Sequence, residues 1–326
     1  MLTVRGVCYL VDGAEPGDVD RDLTVISREL HCNAVMLISN DPQRLVSCAR
    51  RALELGLAVY LRPDATDLRP ATMLNRLAAA ATAAEALRVE HPHRVVLLVG
   101  SEFSHTVSGI VPGPRSFIRL RLVVRHRRIL RRWLHHRLNA LLARSVAVAR
   151  EHFRGPVTYA AAGWEEVDWA VFDHVGVSFY RSARNRDGYR ERVRALARDH
   201  GRPLLITEFG CGAFVGANDR GAGSFHAVNW FSDPPRIDGD LPRDESVQAS
   251  YLRELIGLYD AEGARGCFVF AYAMPGYPRS QDPAADLDKA GFALVVDVDG
   301  VLVRKQAFQA VAECFSGMAG RPPCTP

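Results

Sequence analysis

Two glutamates each close an apolar run. Glu102 follows Val95-Val96-Leu97-Leu98-Val99-Gly100-Ser101, and Glu208 closes Leu204-Leu205-Ile206-Thr207 ahead of Phe209-Gly210. Breaking a glycosidic bond needs one carboxylic acid to protonate the leaving oxygen and one carboxylate facing the anomeric carbon. A pair about 5 to 5.5 Å apart makes the second acid a nucleophile and the outcome retention. Burial beside a second negative charge raises the pKa of one of them, so that it can hold its proton near neutral pH. Alone, either glutamate reads as an ion-paired strand terminus; it is the combination that points to chemistry.

Three further residues stand at neighbouring ends. Arg62 ends the third run and either orients an acid or polar substrate or sits in a surface salt bridge. His105 lies three residues past Glu102, where it touches substrate, tunes the acid or is incidental. Trp164 follows the fifth run and either lines a cleft or caps the core. His31, Cys32 and His174 lack a metal-ligand spacing, and no His-x-x-x-His or Asp-rich loop occurs, so no metal and no cofactor are expected. Gly210-Cys211-Gly212 has neither the Lys-Ser/Thr nor the strand–helix context of a phosphate loop and reads as a flexible active-site loop.

Eight short β-branched and apolar runs must carry these groups: Val4 to Leu10, Ala34 to Ser39, Leu57 to Leu61, Val95 to Gly100, Val157 to Ala161, His174 to Tyr180, Leu204 to Glu208 and Gly266 to Tyr272. Most are continuously hydrophobic, as strands buried on both faces are. Helical patterns fall between them at Arg21 to Leu30, Gln43 to Leu55, Ala71 to Val89, within Ser116 to His152, Tyr189 to His200 and Ser246 to Ala261. Leu55-Gly56, Gly201-Arg202-Pro203 and Glu262-Gly263 are stop signals. Alternation of this kind predicts an α/β chain folded as a single-domain (β/α)8 TIM barrel over residues 1–326. A long loop, Gly210 to Asp244, follows the seventh strand as a lid. Beyond the eighth come an extra strand (Phe292 to Val298), a turn at Asp299-Gly300, a closing helix (Arg304 to Phe315) and a frayed tail from Gly317 to Pro326.

At 48% hydrophobic and 24% charged, the chain has the balance of a globular protein. No long uninterrupted apolar stretch and no leader pattern is present, and the seven cysteines form no Cys-x-x-Cys pair, so a reducing cytoplasm is the expected location. The net charge of +4 is uneven: Arg115 to Arg137 holds nine arginines and no acid. With Ile118, Leu122, Ile129 and Trp133 interleaved, that segment reads as an amphipathic helix. It is either a solvated outer helix or a surface for an anionic partner: membrane, nucleic acid or acidic protein.

The segments Val99-Gly100-Ser101-Glu102-Phe103-Ser104, Val157-Thr158-Tyr159-Ala160, Phe172-Asp173-His174-Val175-Gly176-Val177 and Ile206-Thr207-Glu208-Phe209-Gly210-Cys211 resemble the clan of (β/α)8 retaining glycoside hydrolases with glutamates on strands four and seven. Within it the chain looks most like actinobacterial barrel proteins labelled abortive infection proteins. The resemblance implies Glu102 as acid/base, Glu208 as nucleophile and a glycoside or other small molecule as substrate. It also implies that Tyr180, ending strand six, donates to the nucleophile, unless it simply packs. Tyr272, ending strand eight, takes the place of an expected tryptophan platform. Ser101 stands where the clan has an asparagine for the sugar 2-hydroxyl, which admits a modified or non-sugar substrate. Three functions follow: a retaining glycosidase or transglycosidase, a non-hydrolytic acid/base tailoring enzyme, and a non-catalytic defence or binding protein on a hydrolase fold.

Overall fold

A strand buried on both faces has no solvent side, and the way to cover eight of them is to close the sheet and surround it with helices. A computed structural model describes residues 2–319 in that arrangement. In chain order the elements begin β1 (Val4–Leu10), α1 (Pro16–Arg28), β2 (Ala34–Ser39), α2 (Pro42–Glu54), β3 (Ala58–Pro63), α3 (Pro70–Glu90) and β4 (Val95–Ser101). A short turn α4 (Phe103–Thr106), the long α5 (Ser116–His152), β5 (Val157–Ala162), β6 (Val175–Ser178), α6 (Tyr189–Arg198) and β7 (Leu204–Phe209) follow. Then come α7 (Ala217–Arg220), β8 (Val228–Asn229), β9 (Arg236–Ile237), α8 (Glu245–Ala261), β10 (Gly266–Val269), β11 (Val295–Val298), β12 (Val301–Arg304) and α9 (Gln306–Ala319).

The barrel closes in the order β1-β10-β7-β6-β5-β4-β3-β2 with neighbours parallel. The carboxyl ends of all its strands therefore open at one mouth. Met36, Tyr60, Leu98, Leu205 and Phe268 fill the lumen. The outward residues, among them Leu37, Val59, Leu97 and Ile206, pack into the layer beneath the helices. Prolines start α1, α2 and α3, and the Asp41 and Asp244 side chains accept the Gln43 and Ser246 N–H groups at 2.9 Å, capping α2 and α8. Gly56 and Gly263, at φ 88° and 83°, end α2 and α8 in the left-handed conformation that costs glycine least.

The eight strands and six helices lie where the hydrophobic pattern puts them, with ends displaced by a few residues. Several expectations need correction. The fifth unit, for which the sequence offered no helix, carries only a 3-10 turn at Trp169–Val171. The extra strand after the barrel is half of a hairpin, β11 with β12, turning at Asp299-Gly300. Gly317 to Ala319, expected to fray, continue α9, and the rest of that tail lies outside the described residues. The loop after β7 is built rather than loose: residues 210–213 are buried, Ala213 N–H donates to the Lys289 carbonyl at 2.7 Å, and β8 pairs with β9.

The chain's two lysines, in the loop after β10 and just before α9, are both buried. Lys305 reaches Asp288 at 3.0 Å with both side chains wholly buried, and Arg243 donates to Asp286 and Asp288 at 2.7 and 2.8 Å. Lys289 Nζ donates to the Pro283 carbonyl at 2.8 Å. Together these bonds tie α9's lead-in to the loop after β10. The 37 residues of α5 span about 55 Å, yet no helix among the described residues is long and apolar enough to cross a membrane.

Candidate active site

Glu208 sits near the end of β7, where the ladder with β6 shifts register between Val177 and Ser178. The shift lets the chain after β6 fold back, and Tyr180 arrives with its hydroxyl donating to Glu208 Oε2 at 2.7 Å. From β3, the buried guanidinium of Arg62 pairs with Oε1. Burial pushes the Glu208 carboxyl above its ordinary range, Arg62 pulls it back, and the charge of Glu102 pushes it up again. Burial and the facing carboxylates push Tyr180 far up, so it remains a phenol and a donor. Below the pair the Cys8 thiol donates to the Thr207 carbonyl at 3.4 Å, and burial raises its pKa too.

Glu102 is presented differently. The ladder between β4 and β5 shifts between Leu98 and Ser101, and a Cβ on Gly100 would stand 2.1 Å from the Phe103 ring, so the bend needs glycine. Glu102 itself adopts φ 48°, ψ 44°, a left-handed conformation that costs a non-glycine residue about 1 kcal/mol or more. It is held there because its carbonyl accepts the His105 and Thr106 N–H groups, each at 3.0 Å, while its own N–H donates to Ala160 at 2.8 Å.

The imidazole of His105 spans Glu102 and α5. Its Nε2 lies 2.7 Å from Glu102 Oε2 and its Nδ1 lies 2.9 Å from Ser116 Oγ. Ser116 N–H donates to Asp67 Oδ1 at 2.6 Å. Arg119, wholly buried, donates to Asp67 at 2.6 Å and to the carbonyls of His105, Gly113 and Thr106 at 2.7, 2.8 and 2.9 Å. Behind the turn, Glu165 accepts from Ser104 N–H at 2.8 Å, Tyr159 Oη at 2.9 Å and Ala162 N–H at 3.0 Å, and burial raises its pKa. The first turn of α5 and this buried carboxyl thus fix the loop that carries Glu102.

Five of the residues singled out in the sequence converge: Glu102, Glu208, Arg62, Tyr180 and His105. Arg62 is no surface ion pair, since it is buried against Glu208. Ser101 is half-buried at the end of β4, its carbonyl accepting from Thr106 Oγ1 at 2.8 Å. Trp164 is half-buried in the outer layer, its indole donating to Ser104 Oγ at 3.1 Å and its ring 6.1 Å from His105.

Tyr272 is a correction. It is fully buried on the other side of the wall, 5.5 Å from Tyr9 and bonded to Asp22 of α1 at 3.4 Å, because the chain leaves the ladder after Val269. The aromatic that turns toward the lumen there is Phe270. It joins Phe292 at 6.4 Å, which lies 5.8 Å from Tyr180 and stacks on Phe225 at 4.0 Å, forming an aromatic wall beside Glu208.

Asp67, Ser116, Arg119, Tyr159 and Glu165 were not singled out from the sequence. Two of them lie inside the arginine-rich segment, whose uniform charge hides that Arg119 points inward. A count by full turns places Arg119 on the helix face of the buried Val123.

No family model and no curated protein sequence matches the chain. The (β/α)8 barrel superposes on those of several solved glycoside hydrolases. A GH113 β-1,4-mannanase structure superposes with a TM-score of 0.66 at 15% identity, covering 97% of this chain and 99% of that one. The GH113 β-mannanase from Alicyclobacillus acidocaldarius, in complex with ManMIm, gives 0.62 at 18% identity over 98% and 99% of the two chains. A β-glucuronidase from Ruminococcus gnavus gives 0.61 at 13% identity, with 96% of this chain matched to 50% of the larger enzyme.

Proposed function

We propose that the chain is a cytoplasmic retaining glycosidase or transglycosidase, with Glu208 as nucleophile and Glu102 as acid/base. The observation that carries this reading is the unlike treatment of the two acids. Glu208 is gripped at both oxygens by donors, Arg62 and Tyr180, which favour a carboxylate held in one orientation. Glu102 is met by a single imidazole that can pass a proton in either direction. In the first step Glu208 attacks the anomeric carbon while Glu102 gives its proton to the departing oxygen. In the second, Glu102 takes a proton from the incoming water or alcohol as that oxygen displaces Glu208. The shared fold of the mannanase and glucuronidase barrels supports a glycoside as substrate.

Incubation with activated 2-fluoro glycosides, read by intact mass, tests the proposal. One added glycosyl group per chain is expected, absent in Glu208→Gln. No adduct across a broad panel, with Glu208→Gln behaving as the parent, overturns it.

Ser101 favours a second use of the same acids. A hydroxyl in place of an amide offers one short donor, which suits a substrate without a sugar 2-hydroxyl and a proton-transfer or rearrangement reaction. A requirement for Glu102 without cleavage of any glycoside would select that reading.

A further inference from the structure

The N-terminal half of α5 carries a surface that catalysis does not use. Arg121, Arg125, Arg128 and Arg132 are all exposed, and at 3.6 residues per turn they fall within about 60° of one another on the helix. No carboxylate among the described residues pairs with any of the four, whereas Arg131, on the flank, is taken by Glu166. Four like charges in an unneutralised row repel one another, an arrangement that a dense negative surface would relieve.

Apolar side chains share that face. Ile129 is 84% exposed, and Val124 and Phe117 are exposed by half. Phe117 lies one turn before Arg121, and its ring meets Phe231, 6.4 Å away on the loop after β7. Phe231 is 85% exposed and its neighbour Trp230 is half exposed. The basic row and the aromatic tip of the β7 loop are therefore one continuous patch. It lies at the barrel mouth, since Ser116, the first residue of α5, touches His105.

We propose that this patch docks the barrel mouth onto an anionic phospholipid bilayer, arginines against headgroup phosphates and Phe117, Ile129, Trp230 and Phe231 in the interfacial layer. Nucleic acid would employ the guanidinium row but leaves exposed aliphatic groups such as Ile129 and Val124 in water. A headgroup boundary takes both kinds of side chain at once. The inference is independent of what the glutamates cleave.

Co-sedimentation of the whole chain with vesicles of phosphatidylcholine, with and without phosphatidylglycerol, tests it. Binding is expected only when the anionic lipid is present and should weaken with salt. Replacing the four arginines with glutamine should lower partitioning at least about a hundredfold, and Phe231→Ser should weaken it on the same vesicles. Because the altered residues are exposed, melting temperatures should match the parent. If the quadruple variant fails to fold, quenching of tryptophan emission by brominated lipid in the unaltered chain, reduced in Trp230→Phe, is the second readout, and absence of quenching counts against docking. Equal binding to neutral vesicles, or binding undiminished in a folded quadruple variant, overturns the proposal. So does salt-sensitive binding of duplex DNA or RNA with no vesicle binding, which would assign the row to nucleic acid.

Discussion

Arg62 reaches Glu208 from four strands away, on the opposite side of the barrel, and 146 residues away in the chain. The pair is buried on both sides. A buried carboxylate without a counter-charge is expensive, so the guanidinium decides whether Glu208 can ionise at all.

Replacing Arg62 with Met is expected to destabilise the fold by about 3 to 5 kcal/mol at neutral pH. The loss should shrink in acid. Glu208 titrates above its ordinary 4.5 when folded, so its contribution to stability is full below that value and is lost as pH rises through the raised one. Without Arg62 the folded value climbs further and the loss at neutral pH deepens. Calorimetric melting temperatures from acid to neutral pH check this; a gap between variant and parent that does not widen with pH contradicts it.

Tyr180→Phe removes the 2.7 Å hydrogen bond to Glu208 Oε2 and little volume. A hydrogen bond to a charged group contributes about 1.5 to 3 kcal/mol, so kcat/KM on any turned-over glycoside should fall about 10- to 150-fold. The rate of covalent trapping should fall in parallel, as the bond orients the attacking oxygen.

His105→Ala is expected to impair the step that needs a proton and spare the one that does not. With a poor leaving group the rate should drop about 100-fold or more; with a dinitrophenyl glycoside the first step should be nearly unchanged. Glu102→Ala should show the same split more strongly, with azide restoring turnover of the activated substrate. A uniform loss on both substrates would instead mean that His105 serves the fold.

Arg119→Met removes four buried hydrogen bonds, to Asp67 and to the carbonyls of His105, Gly113 and Thr106, and takes the paired cation away from Asp67. Chemical denaturation should show a loss of about 3 to 5 kcal/mol, and lysine should not rescue it, because an ammonium cannot serve four acceptors spread around a planar fork.

The barrel was readable because strands enclosed on both faces leave uninterrupted apolar runs, and β2, β5 and β7 are buried at every position. Glu102 and Glu208 were readable because each ends such a run. Arg62 was located, but its role stayed open between orienting an acid and a surface salt bridge: nothing local distinguishes an arginine at a solvated strand end from one whose partner is 146 residues on. Tyr272 failed for a geometric reason. Counting by twos from Phe268 points it inward, but the count holds only while the chain stays in the ladder, which ends at Val269. Ser116, Arg119 and Asp67 were hidden because their meeting depends on where α5 begins, which is a tertiary fact.

The lysines have a practical corollary. Lys289 and Lys305 are the only two in the chain, and both are sealed beneath the loop after β10. Acylating reagents, aldehyde fixatives and amine-directed cross-linkers thus find no lysine ammonium on the folded surface. Labelling at Lys305 would report the opening of its contact with Asp288, and labelling at Lys289 the release of the Pro283 carbonyl, turning an inert exterior into a chemical clock for loss of the native state.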